Sequence, residues 1–163
     1  MDIENIQDLR KSDKAESAIG YFKEGYSCSQ SVLLAFCEEY GLDKETAVKL
    51  SSSFGAGMGR LREVCGAVSG MFMVAGLAYG YTDPKDHTGK SEHYERIQYL
   101  AREFEEKNHS IICRELLGSG AGKDNPEPEK RTAEYYQKRP CADLVGMAAE
   151  IMEKYLEDHK VEG

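Results

Sequence analysis

The stretch "VCGAVSGMFMVAGLAYGYT", residues 64–82, runs without a charge, and its reading decides the fold. A segment of that length could just cross a bilayer. It carries Gly66, Gly70, Gly76 and Gly80, polar Cys65 and Ser69, and no Trp or basic belt where "TDPKD" follows it. These features favour the central helix of a soluble bundle, apolar on every side, over a membrane span. The four-residue spacings Gly66/Gly70 and Gly76/Gly80 let helix backbones approach closely.

On either side of this helix, apolar residues recur at helical spacing and no alternating strand pattern is convincing. The fold class is therefore all-α, one compact bundle of about six or seven helices. A first helix covers about 13–24, with Ala15, Ala18, Ile19 and Phe22 on one face and Gly25 as its stop. "SCSQSVLLAFCEEYG", residues 27–41, opens with Ser27 and Gln30 in a capping box. Asp43 caps a third helix with Ala47, Leu50, Ser51 and Phe54 inward, and "GAGMG", residues 55–59, ends it. A long amphipathic helix over about 90–108 buries Tyr94, Ile97, Leu100, Ala101 and Phe104, and Ser110 caps a short piece, "IICRELLG". Pro140 opens a last helix whose inward stripe is Leu144, Val145, Ala148, Met152 and Tyr155. Residues 118–140 read as a long irregular loop, of the kind that is functional or mobile in a small domain. With 163 residues and no internal repeat, the chain reads as a single helical domain, 1–163.

A formal net charge of −8 repels a phosphate backbone, and "GRLR" and "EKR" are too short to offset it, so nucleic acid is excluded as a partner. "DIENIQDLRKSDK" after Met1 lacks the features of a secretory signal, so a cytoplasmic location is expected, where thiols stay reduced. Five cysteines there point to metal binding or redox chemistry before structural disulfides.

Cys28, Cys65, Cys113 and Cys141 each fall in the first turn of a predicted helix, where free N–H groups and the helix dipole favour a thiolate. Each also heads its helix's apolar stripe, so packing these ends together would bring four sulfurs to one partly buried place. Cys37 lies nine residues after Cys28, which rotates it by about 180° and displaces it by about 13 Å. It reads as a small core hydrophobe. Gly66, Ala67 and Gly70 leave room for a cofactor or for another backbone, and Arg60 and Arg62 can stabilise negative charge on sulfur.

No Cys-x-x-Cys occurs, which excludes the usual ferredoxin, zinc-ribbon and thioredoxin signatures, and no Cys-x-x-Cys-His is present to attach haem. Four ligands from remote segments suit an iron–sulfur cluster or Zn²⁺. "FGAGMGR" follows a helix and lacks the Gly-Lys-Ser/Thr ending of a phosphate loop, so a tight turn with positive φ is the plainer account. No catalytic triad or carboxylate pair can be read, and the four histidines read as solvated, with His109 close enough in sequence to support Cys113.

One cysteine, then "CGAVSG" at residues 65–70, then two further single cysteines resembles the C_GCAxxG_C_C family of redox-active proteins, over about Gly25 to Cys141. The resemblance implies Cys28, Cys65, Cys113 and Cys141 as the family's cysteines and Gly66, Ala67 and Gly70 as its motif, with Cys37 outside it. The family is similar to the iron–sulfur part of split-Soret cytochromes, which implies a helical domain holding a cluster through cysteines. The expectation is then an electron-transfer protein with Cys28, Cys65, Cys113 and Cys141 as metal ligands, Gly66 and Gly70 beside the cofactor, and a redox partner protein. Two alternatives stay open: a metal-free thiol–disulfide protein in which these cysteines pair reversibly, and a structural Cys₄ zinc or helical interaction module. Apart from these, a metal protein that has lost its metal is expected to show two disulfides once air oxidises adjacent thiols. The small-residue face of the central helix could also support a homodimer.

Overall fold

The computed structural model describes residues 12–118 and 122–160, and the start of the chain and part of the expected loop lie outside them. Eight helices are present in the described residues: α1 (Asp13–Lys23), α2 (Cys28–Phe36), α3 (Lys44–Ser51), α4 (Gly66–Tyr79), α5 (His87–Asn108), α6 (Cys113–Leu117), α7 (Ala133–Lys138) and α8 (Cys141–Asp158). Short 3₁₀ turns extend α2 through Tyr40 and α3 through Phe54. The all-α expectation holds, and among the described residues one isolated antiparallel bridge joins Val64 to Ile112. Helix α7 is the departure. It lies inside the stretch expected to be irregular, because Thr132 caps it by accepting from Tyr135 N–H.

Local signals explain most boundaries. Ser27 and Gln30 form both halves of the capping box of α2, Asp43 accepts from Thr46 N–H to start α3, and Gly41 takes the left-handed conformation that ends the turn after α2. Ser110 accepts from Ile112 N–H and so fixes the approach to α6, while Ile112 itself occupies the cap position.

Helices α1, α2, α4 and α8 form the core, with α5 laid across α4 and α8. Ala18, Phe22, Val32, Leu33, Phe36, Met71, Val74, Leu100, Phe104, Val145, Ala148 and Met152 are buried at its centre. The first half of α4, Gly66–Met71, is buried on every side, whereas Gly76 and Leu77 face solvent. Among the described residues no helix is long and apolar enough to cross a membrane. Leu50 and Tyr94, expected inward, are 55% and 53% exposed. Helical phase alone misplaced them, since α3 and α5 each bury a narrower stripe than their apolar content suggests.

Helices α2 and α4 cross with their backbones close together. A Cβ built on Gly70 would stand 2.8 Å from Ser29 O and 2.9 Å from Val32 Cβ, so glycine is what lets the two backbones meet. The buried serines at the start of α2 complete this contact without leaving polar groups unsatisfied. Ser29 donates to Ser51 O at 2.8 Å and Ser31 to Ser27 O at 2.7 Å.

Candidate functional site

Cys28 and Cys141 are the first residues of α2 and α8, Cys113 is the first of α6, and Cys65 is the cap residue of α4. All four line one cavity of about 280 Å³ at the end of the bundle where these helices begin. The fold brings these helix starts together in two ways. The α2–α4 crossing sets Gly66 against Cys28, so closely that a Cβ on Gly66 would overlap Cys28 Sγ. The Val64–Ile112 bridge pairs the entries to α4 and α6, with Cys65 N–H donating to Ile111 O at 2.8 Å and Cys113 N–H to Glu63 O at 2.6 Å. Gly66 lines the cavity, and Gly70 sits one turn further along α4 against α2. Cys37 is fully buried in the core, where its thiol donates to Leu34 O.

The glycine run between α3 and α4 is more unusual than a tight turn. Ala56, Gly57, Met58, Gly59 and Arg60 are consecutive residues with φ between 56° and 69°, and Gly59 N–H donates to Gly55 O at 2.9 Å, which makes one turn of left-handed helix. Left-handed helix costs an L-residue roughly 1–2 kcal/mol. Ala56, Met58 and Arg60 all bear that cost, so the surroundings must enforce the shape. Gly57 packs so near the start of α6 that a Cβ there would stand 2.6 Å from Cys113 Cβ and 2.7 Å from Arg62 Cα. The turn in exchange delivers Ala56 N–H to the Cys28 sulfur.

Arg62 follows this turn, also at positive φ (61°), and is 5% exposed. It donates through Nη1 to Cys113 Sγ at 3.7 Å and through Nη2 to Asp124 Oδ2 at 3.0 Å. Burial works against its charge, but the contacts with Cys113 and Asp124 hold its pKa above the ordinary value. Its Nε is buried with no partner among the described residues. Arg60 joins the same carboxylate at 3.3 Å and donates to Asn125 O. Residues of the expected loop therefore close the cavity from outside: Pro126, Pro128, Glu129, Arg131, Tyr135 and Arg139 line it. Arg131 donates to Phe22 O and Tyr26 O, and Arg139 pairs with Glu129. The sequence pointed to Arg60 and Arg62 near the sulfurs but not to Arg131 and Arg139, which lie in a stretch that reads as an irregular loop. The signal available was the position of Arg131 and Arg139 in the longest loop, directly before Cys141.

Helix starts favour thiolates, but burial wins here. Desolvation pushes the Cys28 and Cys65 thiols above the ordinary value, despite N–H groups of Ala56 and Ser29 at the first and of Val68 and Ala67 at the second. Burial, then the nearby Cys28 and Cys113, pushes Cys141 from 9.0 up to about 12. A thiol held above its free value stabilises the fold below that value and loses this contribution as pH rises through the folded pKa. The metal-free protein is therefore expected to keep its stability up to about pH 9 and lose it progressively toward pH 12. Urea midpoints taken across that range should fall for the wild type and fall less for Cys141→Ala; a midpoint that rises above pH 9 would contradict the assignment.

All five cysteines are free thiols. Among the described residues no three Cys, His, Asp or Glu side chains are grouped as ligands of one metal ion. His109 ends α5 in the left-handed conformation, His93 contacts Arg96 and Tyr81, and His159 stacks on Tyr155 at 4.0 Å.

A family model described as "Putative redox-active protein (C_GCAxxG_C_C)" matches residues 26–155, which include all four cavity cysteines. No curated protein and no solved structure matches the chain.

Proposed function

The chain belongs to the C_GCAxxG_C_C family, described as redox-active, and from that premise we propose that Cys28, Cys65, Cys113 and Cys141 hold an iron–sulfur cluster through which the protein passes electrons. The observation that carries this reading is the common cavity of about 280 Å³ lined by four thiols from four helix starts. A cavity of that size has room for a polynuclear centre as well as for a lone zinc ion held at about 2.3 Å by four sulfurs. In a cluster the sulfurs bind different metal atoms and need not close around one point.

The donor set fits such a group. Backbone N–H groups already point at the Cys28 and Cys65 sulfurs, and a guanidinium points at Cys113. These contacts favour negative sulfur, the form that ligates metal. Arg60, Arg62, Arg131 and Arg139 on the cavity wall offset an anionic centre in a chain of net charge −8. The buried Nε of Arg62 is a donor for which the described residues supply no acceptor. An iron–sulfur cluster would supply one-electron redox chemistry at this place. The chain's part is to bind it, shield it with Leu116, Leu144 and the Pro126–Pro128 wall, and balance its charge.

Metal-free thiol–disulfide exchange also requires a thiolate, and burial disfavours that form at Cys28, Cys65 and Cys141; a bound metal offsets the cost directly, whereas exchange without metal has no such offset. Protein purified without oxygen is expected to absorb visible light, to bleach on dithionite addition and to recover its spectrum on mild reoxidation. A colourless protein, unchanged by dithionite after anaerobic reconstitution with iron and sulfide, would refute the electron-transfer reading.

A further inference from the structure

We propose that Arg62 is a positioning residue that sets the reduction potential of the centre, acting through Cys113 and balanced by Asp124; this rests on the cluster reading above. A buried guanidinium is costly unless it is paired. Arg62 is 5% exposed, yet its pairs are one sulfur, Cys113 Sγ at 3.7 Å, and one carboxylate, Asp124 Oδ2 at 3.0 Å, whose side chain is 45% exposed. The main chain is held to deliver it there. Its φ of 61° is disfavoured for arginine, and neighbouring bonds fix it: Glu63 N–H to Gly57 O at 2.9 Å and Arg114 N–H to Arg62 O at 3.2 Å. Strain and burial at one residue, with its charge directed at a ligand sulfur, are the marks of a residue retained for the site rather than for stability.

The electrostatic consequence has a definite sign. Reduction adds negative charge to the centre, so a fixed cation on Cys113 favours the reduced state and raises the potential. Asp124, shared between Arg62 and Arg60, opposes this. Arg62→Gln should therefore lower the potential and Asp124→Asn should raise it. Arg62→Lys should fall between Arg62→Gln and the wild type, because charge is kept while the two-armed contact is lost.

The test is redox titration of anaerobically reconstituted wild type, Arg62→Lys, Arg62→Gln and Asp124→Asn, each with iron and sulfide content measured first. Opposite shifts for Arg62→Gln and Asp124→Asn are expected, since a merely structural role would move both the same way. Shifts of the same sign, or none, overturn the proposal. If Arg62→Gln does not load, Asp124→Asn decides: a raised potential supports the proposal, and an unchanged or lowered one overturns it. Wild type that retains no iron and sulfide overturns the cluster reading and this inference together, whereas loaded wild type with unmoved variants overturns this inference alone.

Discussion

Cys65→Ala is expected to bring the iron and sulfide retained after anaerobic reconstitution down to background, while Cys37→Ala keeps the wild-type content. Both residues are buried thiols and both substitutions remove one sulfur, so bulk and chemistry are matched. They differ in place. Cys65 caps α4 on the cavity wall, with Ile111 O fixing its backbone and the N–H groups of Val68 and Ala67 facing its sulfur. Cys37 lies in the 3₁₀ turn after α2 and contacts the core through Leu34 O. Its loss should cost about 1 kcal/mol of folding stability, the scale of one buried methylene-sized group. Iron and sulfide assays beside urea unfolding separate the two effects, and equal retention by both variants would end the assignment of Cys65 as a ligand.

Gly66→Ala should weaken cofactor retention by about 10–100-fold, the range for changes that disturb the support of a metal ligand. A methyl there would overlap Cys28 Sγ and stand 3.0 Å from Phe54 O and 3.2 Å from Ser29 N, so the thiol must leave its place in the cavity. The helix itself would gain from the exchange, since alanine is favoured over glycine in α-helix by about 1 kcal/mol. Gly70→Ala is the contrast. Its methyl meets Ser29 O and Val32, so its main effect should be a loss of about 1–3 kcal/mol from overpacking the α2–α4 crossing. Chelator-driven iron release should be fast in Gly66→Ala, and a wild-type release rate there would contradict the packing account.

What the sequence disclosed follows from the range of each signal. Caps and apolar phase are local, so the all-α fold and most helix starts could be read from residues such as Ser27, Asp43 and Gly41. The four cysteines were legible as a set because each occupies the same local position, a helix start. The meeting of those starts depends on pairings that leave little local trace. Val64–Ile112 is a bridge of one residue pair, too short for an alternating pattern. The left-handed turn needs φ above zero at Ala56, Met58 and Arg60, and residue type gives no hint of that. Thr132 could have revealed α7, but its helix has only six residues and sits among prolines and charges. The electrostatics also reversed a local expectation: the helix starts do supply N–H donors, yet desolvation at Cys28, Cys65 and Cys141 outweighs them.

The central claim is that sulfurs at four helix starts share one polynuclear centre. Iron and acid-labile sulfide should be determined on protein purified and reconstituted without oxygen. Both elements are expected, in similar amounts and with more than one iron per chain; stoichiometric zinc without sulfide, or neither metal nor sulfide, would contradict it.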